Sequence, residues 1–275
     1  MVVKHRNLVN PRRAENPDER CIYGVHPVAT WLRAHPEQLR SIHYDAHVSS
    51  RVGDVLALAA AARVRREACG DETLTRMAGT PRHQGIVASA APFPYAELER
   101  LLESPPGLLI LADQIQDPHN LGAVLRTAEA VGAGGVLVPK DSSVGVTATV
   151  EVAAAGAAAL LPVCRITNSA RALDRLKSAG YWTVALIARH GTDLYQFDPP
   201  AHVVVVVGGE TGMRPLVKKQ CDFAVSIPMR GQVESLNASV AAAVALYELA
   251  RRQSAGRGVG HGPATAGTST IVSSG

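Results

Sequence analysis

Three junctions concentrate the polar chemistry of this chain: Asp117-Pro118-His119-Asn120, Gly208-Gly209-Glu210, and the stretch from Ser226 through Pro228 and Gly231 to Ser235, Asn237 and Ser239. Each follows an apolar run and hands polar side chains to the start of a helix, which is where open α/β sheets carry their ligand sites. The glycines at 208 and 209 let a ligand approach the backbone closely, and a carboxylate at a buried strand exit, here Glu210, needs a partner. Asn120 is placed as the N-cap of the first of these helices, with Leu121, Val124, Leu125 and Ala128 on its apolar face. Arg126 falls on the opposite side of that helix. Spacing alone favours a solvated arginine there; the alternative is a face that looks into a cleft or a partner subunit. Ser235 is a candidate cap for the last helix, and Asn237 either trims its polar side or serves the site. The three loops are expected to form one site.

Several chemistries are excluded by what is missing. No GxGxxG with a following ribose-binding acid is present, and no Gly-Lys-Ser/Thr follows the second loop, so neither a dinucleotide fingerprint nor a P-loop is available. The four cysteines are far apart and form no CxxC pair, and the ten histidines have no metal-ligand spacing. No metal site is expected. Hydrophobic residues make up 47% and charged residues 19% of 275, the balance of a globular protein. The longest apolar run, Val152 to Val163, is too short and too rich in Ala and Gly to cross a bilayer. A polar N-terminus without an apolar signal core points to the cytoplasm and away from membranes. The net charge of +4 leans mildly towards anionic partners. With 4% aromatics, RNA contacts would rest on Arg, Lys, backbone amides and shape rather than on stacked rings.

The loops are positioned by two units of different texture. Residues 1–20 read as a flexible basic extension. Residues 21–92 read as a small α/β unit, with a helix carrying Ala29, Trp31 and Leu32, a strand at Ile42–Asp45, an amphipathic helix from Val52 to Ala62, a short helical piece at Leu74–Met77 and a closing strand at His83–Ala88. Residues 93–107, punctuated by Pro94, Pro105, Pro106 and Gly107, are a linker. From 108 to 252 apolar strands alternate with helices: Leu108–Ala112, Gly135–Pro139, Ala159–Val163, Trp182–Ala188, Val203–Val207 and Phe223–Ile227, with helices beginning near Asn120, Val146, Asn168, Met213 and Leu236. Continuous valines fit strands buried on both faces, and the alternation implies a doubly wound parallel sheet. The last helix is apolar almost all round (Val240, Ala243, Val244, Leu246, Tyr247, Leu249), so it should pack on more than one side. Residues 253–275, rich in Gly, Ser and Thr, are expected to be disordered.

In this order and at these separations, the three loops resemble the three motifs of the SPOUT superfamily of RNA methyltransferases, and within it the TrmH (SpoU) family of ribose 2′-O-methyltransferases. Ile22-Tyr23-Gly24-Val25-His26-Pro27 and His83-Gln84-Gly85-Ile86 resemble the small RNA-binding domain of members that methylate a guanosine of 23S rRNA. The resemblance runs from about Cys21 to Arg252. It implies a C-terminal domain with a deep trefoil knot and an N-terminal L30e-like RNA-binding domain. It also implies a homodimer with the site at the interface, and S-adenosylmethionine held by Val207, Gly208, Gly209, Ile227, Met229 and Leu236. The family's polar active-site positions fall on Asn120, Arg126, Glu210, Ser235 and Asn237. One departure is plain: only Thr211 separates Glu210 from Gly212, where the family usually places two residues.

Methyl transfer to a ribose hydroxyl requires an in-line methyl and removal of a proton as the bond forms. The family assigns that proton to the arginine, here Arg126; the alternative is that Arg126 clamps an RNA phosphate, and this phosphate or water takes the proton, because a guanidinium resists deprotonation. The expected partner is RNA, either 23S rRNA or a large-subunit precursor. A tRNA substrate and a non-catalytic RNA-binding or ribosome-assembly role are the alternatives. A nucleotide-binding oxidoreductase is disfavoured by the missing fingerprint.

Overall fold

The valines from Val203 to Val207 offer no polar face, so their strand must be covered on both sides. It is the centre strand of a seven-stranded sheet in the computed structural model, which describes residues 19–47 and 50–257.

The chain first builds a smaller sheet from β1 (Arg20–Tyr23), α1 (Val25–Ala34), β2 (Leu39–Asp45), α2 (Ser50–Ala61), β3 (Arg65–Cys69), α3 (Asp71–Ala78) and β4 (Ile86–Ala90). Its strand order is β1-β4-β2-β3. Ile22, Ile42, Ile86 and Ala88 meet α1 and α2 on one face, while Tyr23 and Val87 meet Leu74 of α3 on the other. Neither β1 nor β3 was expected. β3 reads Arg-Arg-Glu-Ala-Cys and pairs only with β2, so as an edge strand it carries charge instead of an apolar pattern.

The proline-punctuated connection holds a helix, α4 (Leu98–Glu103), whose Leu98 is buried under the larger sheet. Ala96 bridges Cys164 there. The larger sheet follows: β5 (Leu108–Asp113), α5 (Pro118–Ala130), β6 (Gly135–Pro139), α6 (Ala148–Ala153), β7 (Val163–Ile166), α7 (Ser169–Ser178), β8 (Trp182–Ile187), β9 (Thr192–Asp193), β10 (Val203–Gly208), α8 (Pro215–Gln220), β11 (Phe223–Ser226) and α9 (Ala238–Arg257). The order is β7-β6-β5-β10-β8-β11-β9 and every pairing is parallel. Leu108, Ile110 and Ala112 face α5, α6 and α9; Leu109 and Leu111 face α7 and α8. This is the expected parallel α/β arrangement with a small α/β unit before it.

One expected strand is displaced. Ala159–Val163 is not a strand: Ala157–Ala159 form a 3-10 turn and β7 starts only at Val163. That run is apolar because it is wedged between the two cores, Ala157 and Ala158 in the larger and Ala159 in the smaller. Gly156 turns into it at φ 93°, where a Cβ would collide with Thr30 of α1.

The two units are also tied by a buried polar contact. Arg20 Nη1 and Trp31 Nε1 both donate to the carboxylate of Glu151 on α6, at 3.0 and 2.6 Å. The Arg20 guanidinium lies 4.1 Å over the Trp31 ring. Burial pushes the Glu151 carboxyl up to about 7, against the opposing pull of Arg20 and Trp31. Arg20 Nε and Nη2 are buried with no hydrogen-bond partner.

Of the expected basic extension only Glu19 and Arg20 are among the described residues. At the other end α9 continues past Arg252, and Gln253 Nε2 donates to the carbonyls of Gly107, Pro200 and Ala201. The remainder of the expected tail, from 258 on, lies outside the described residues. Among the described residues no helix is long and apolar enough to cross a membrane.

Candidate active site

β5 is apolar up to its last residue, Asp113, which is fully buried at the C-terminal edge of the sheet. A carboxylate there must be satisfied. Arg214 does so, donating its backbone N–H to Oδ2 at 2.9 Å and Nε to Oδ1 at 3.0 Å, with Nη2 also on Oδ1. Ser169 Oγ donates to the same Oδ1 at 3.0 Å. This cluster fixes the far end of the Gly208–Arg214 loop. The near end is sewn to the β5 exit as well: Gly209 N–H donates to the Asp113 carbonyl at 2.9 Å, and Gln114 Nε2 to the Gly212 carbonyl at 3.3 Å. The approach is so close that a Cβ on Gly209 would overlap the Gln114 carbonyl oxygen, and one on Gly208 the Met213 amide. The loop closes tightly: Gly212 N–H donates to the Gly209 carbonyl at 2.9 Å, and Gly212 takes φ 81°.

The loop walls one side of a pocket of about 650 Å³. The sheet supplies Leu186 and Ile187 at the end of β8, with Ala188 just past it, and Val207 and Gly208 at the end of β10; Ile227 and Met229 follow β11. Ser235, Leu236 and Asn237 close it from the approach to α9. Every residue expected to contact the cofactor, Val207, Gly208, Gly209, Ile227, Met229 and Leu236, lines this one pocket, and so do Glu210, Ser235 and Asn237. Lys218 is the cation in the lining. The second and third loops are therefore brought together.

The polar positions divide. Asn120 is buried and its Nδ2 donates to Glu210 Oε1 at 2.6 Å, which supplies the partner that Glu210 needs. Asn120 is not the N-cap of α5. That place belongs to Asp117, whose Oδ1 accepts the His119 N–H at 2.8 Å, with Pro118 at the first helical position. The cap reading failed because Asp-Pro-His-Asn offers two cap-competent residues and Pro fixes the helix start one turn earlier. Ser235 does not cap α9 either; Asn237 does, accepting from Ser239 N–H at 2.9 Å and Ser239 Oγ at 2.7 Å. Arg126 stands apart. It is exposed on α5 and lines a different groove, with His26 and Glu129, not the cofactor-sized pocket.

Sequence reasoning missed Asp113, Ser169, Arg214 and Gln114. The one available signal was a carboxylate closing an otherwise apolar strand. Cys164 and Cys221 are poor nucleophiles, since burial pushes Cys164 up to about 12 and Cys221 to about 11. Among the described residues no group of His, Cys, Asp or Glu is placed to hold a metal. The Asp113 cluster yields a specific expectation. In Asp113→Asn, one acceptor becomes a donor that opposes the Arg214 N–H groups, and the loop should loosen. S-adenosylmethionine affinity, read by titration calorimetry, should fall roughly tenfold, the loss of about one charged hydrogen bond. Wild-type affinity in that variant would show that the cluster does not shape the pocket.

Residues 107–247 match the model of the SpoU rRNA methylase family, and residues 21–96 match that for RNA 2′-O ribose methyltransferase substrate binding. The chain is 41% identical over 244 residues to the 23S rRNA (guanosine-2′-O-)-methyltransferase RlmB of Nitrosomonas europaea, covering 87% of this chain and 94% of that protein. It is 44% identical over 241 residues to the RlmB of Ralstonia nicotianae, covering 86% and 96%. Among solved structures it is similar to the SpoU methyltransferase AviRb from Streptomyces viridochromogenes in complex with AdoMet. There the TM-score is 0.75 and the identity 25%, over 90% of this chain and 96% of that one.

Proposed function

The chain belongs to the SpoU rRNA methylase family, and from that premise we propose that it transfers the methyl group of S-adenosylmethionine to the ribose 2′-hydroxyl of a guanosine in 23S rRNA. The observation that carries the reading is the convergence of the second and third loops on one pocket.

The pocket's residues suit this cofactor. Leu186, Val207, Ile227, Met229 and Leu236 give an apolar slot for a flat base, and the glycine-rich loop presents backbone groups rather than side chains. Lys218 suits a carboxylate. When bound, S-adenosylmethionine supplies the electrophilic methyl group. Val207, Gly208, Gly209, Ile227, Met229 and Leu236 hold it, in a chain that threads as a trefoil knot around these loops. Asn120 keeps Glu210 oriented through their 2.6 Å bond, Asn237 fixes the start of α9, and Ser235 and Asn237 order the loop that meets the nucleotide. Arg126 clamps the RNA phosphate so that this phosphate or water takes the hydroxyl proton, since a guanidinium is too weak a base for that task.

A second copy of the chain completes the site. Arg126 lies off the pocket of its own chain, and α9 leaves Val240 and Tyr247, one helical face, about half exposed at 49% and 57%. The place of action is the cytoplasm, where rRNA is made. The test is a map of ribose methylation across total RNA from a strain lacking the protein. One 23S rRNA guanosine should lose its mark and regain it on complementation. Unchanged large-subunit rRNA refutes the substrate, and a loss confined to tRNA transfers the assignment there.

A further inference from the structure

The small domain's Tyr23-Gly24-Val25-His26-Pro27 stretch finds no role in the methyl-transfer scheme, yet His26 reaches the groove that holds Arg126. This groove lies where the two units meet. His26 at the start of α1 forms one wall, Arg126 and Glu129 of α5 another, and Ala155 and Leu160 lie between them. None of the His26, Arg126 and Glu129 side chains makes a hydrogen bond or ion pair with another described residue, so each is free to meet a ligand. Leu160 is 54% exposed and offers an apolar surface. The alanine-rich turn between the walls is held rigid by Gly156, packed on Thr30 with no space for a Cβ.

We propose that this groove binds the target nucleotide itself, with Glu129 reading its guanine edge, Arg126 its phosphate, and His26 bracing the ribose-phosphate from the small domain. The assignment rests on the methyl-transfer reading above. At about 300 Å³ the groove is at the small end of ligand sites and admits one nucleoside, not a base-paired helix. The nucleotide must therefore be unpaired or flipped out, which is how proteins expose a base for reading or reaction. Arg126 and Glu129 are neighbours three residues apart on one helix face, about 5–6 Å between Cβ atoms, so the two long side chains can diverge to opposite ends of one nucleotide. A carboxylate would repel phosphate, so Glu129 belongs to the base. Guanine alone presents two adjacent donors, N1–H and N2–H, to the two oxygens of a carboxylate. Adenine and cytosine each place one amino group beside a bare acceptor nitrogen, and uracil sets one N–H between two carbonyls. The exposed Leu160 faces the base plane.

The test compares wild-type, His26→Ala and Glu129→Gln proteins on protein-free 23S rRNA from a strain lacking the enzyme, and on 23S transcripts with adenosine at the mapped target position. Both variants should bind S-adenosylmethionine with wild-type affinity by calorimetry, and each should raise KM for rRNA roughly tenfold, as for the loss of one good base or phosphate contact. Glu129→Gln should also gain measurable transfer to the adenosine transcript, because an amide offers the donor and acceptor that adenine's edge requires. A solvated, merely structural Glu129 would alter neither KM nor base preference. An active wild type with Glu129→Gln matching it in both readouts overturns the guanine assignment, and His26→Ala at wild-type KM removes the small-domain wall. A wild type with no methyl transfer at all sinks the parent reading and this one together.

Discussion

Replacing Arg126 with Ala is expected to slow methyl transfer to 23S rRNA by roughly two to three orders of magnitude, the scale for losing a charged group that stabilises the transition state. S-adenosylmethionine affinity should stay at its wild-type value, because Arg126 is exposed on α5 and contributes nothing to the pocket lining of its own chain. The contrast between the two readouts is what the geometry demands. Arg126→Lys should recover only part of the rate, since an ammonium keeps the charge and loses the planar fork that grips a phosphate on two oxygens. Mixing chains sharpens the test. An Arg126→Ala chain and a chain whose pocket loop is forced off the β5 exit by Gly209→Val should each be nearly inactive alone. Mixed dimers should regain activity if the arginine of one copy serves the pocket of the other. Mixed dimers that stay as slow as either parent would sink the two-copy arrangement.

The second large effect concerns stability. Arg20→Ala leaves Glu151 buried against Trp31 without its cationic partner, and well above pH 7, where the carboxylate must ionise, should cost about 3–5 kcal/mol in urea unfolding. Wild type itself should be sensitive to pH. The Glu151 carboxyl is pushed from its usual 4.5 to about 7 in the folded chain, chiefly by burial. Between those values the folded state binds more protons than the unfolded one, so stability falls as pH rises from about 4.5 to about 7 and levels off above that. The full drop is on the order of 3 kcal/mol. Glu151→Gln, which keeps the shape and cannot ionise, should flatten that part of the profile. A wild-type profile that is already flat from pH 5 to 8, or an Arg20→Ala protein as stable as wild type, would contradict this account of the contact.

The parallel sheet was legible because strands buried on both faces need unbroken apolar runs, and Val203–Val207 or Leu108–Ala112 have them. The same logic misled at Ala159–Val163, where a buried turn between two cores demands the same residues as a strand. β3 was invisible for the opposite reason: an edge strand can be built from arginines and a glutamate. The second and third loops were legible as site-forming, since glycines and polar side chains gathered at strand exits add little to a core and suit a ligand, and they do line one pocket. Their supports were not. Asp113 and Arg214 are 101 residues apart, and only the β5–β10 pairing brings the exits of both strands together. Arg126 could be read as exposed from its helix face, but its distance from the pocket depends on where α5 lies over the sheet. The caps were misassigned by local ambiguity: Asp117 outcompetes Asn120, and Asn237 outcompetes Ser235.

The strand order β5-β10-β8 has a consequence for how the molecule comes into being. β5 finds its inner neighbour only in β10, which is synthesised after β6, β7, β8 and β9. Until residues 203–208 leave the ribosome, an apolar strand edge on β5 stays unpaired, and such edges invite misassociation. Every wall of the pocket comes from β8 onward, so a nascent chain has nothing with which to hold the cofactor. Ligand binding can then stabilise only the finished fold and cannot rescue an unfinished one. Slow, long-range closure around β10 should therefore set the pace of folding, and the enzyme becomes active all at once, at the end of its own translation.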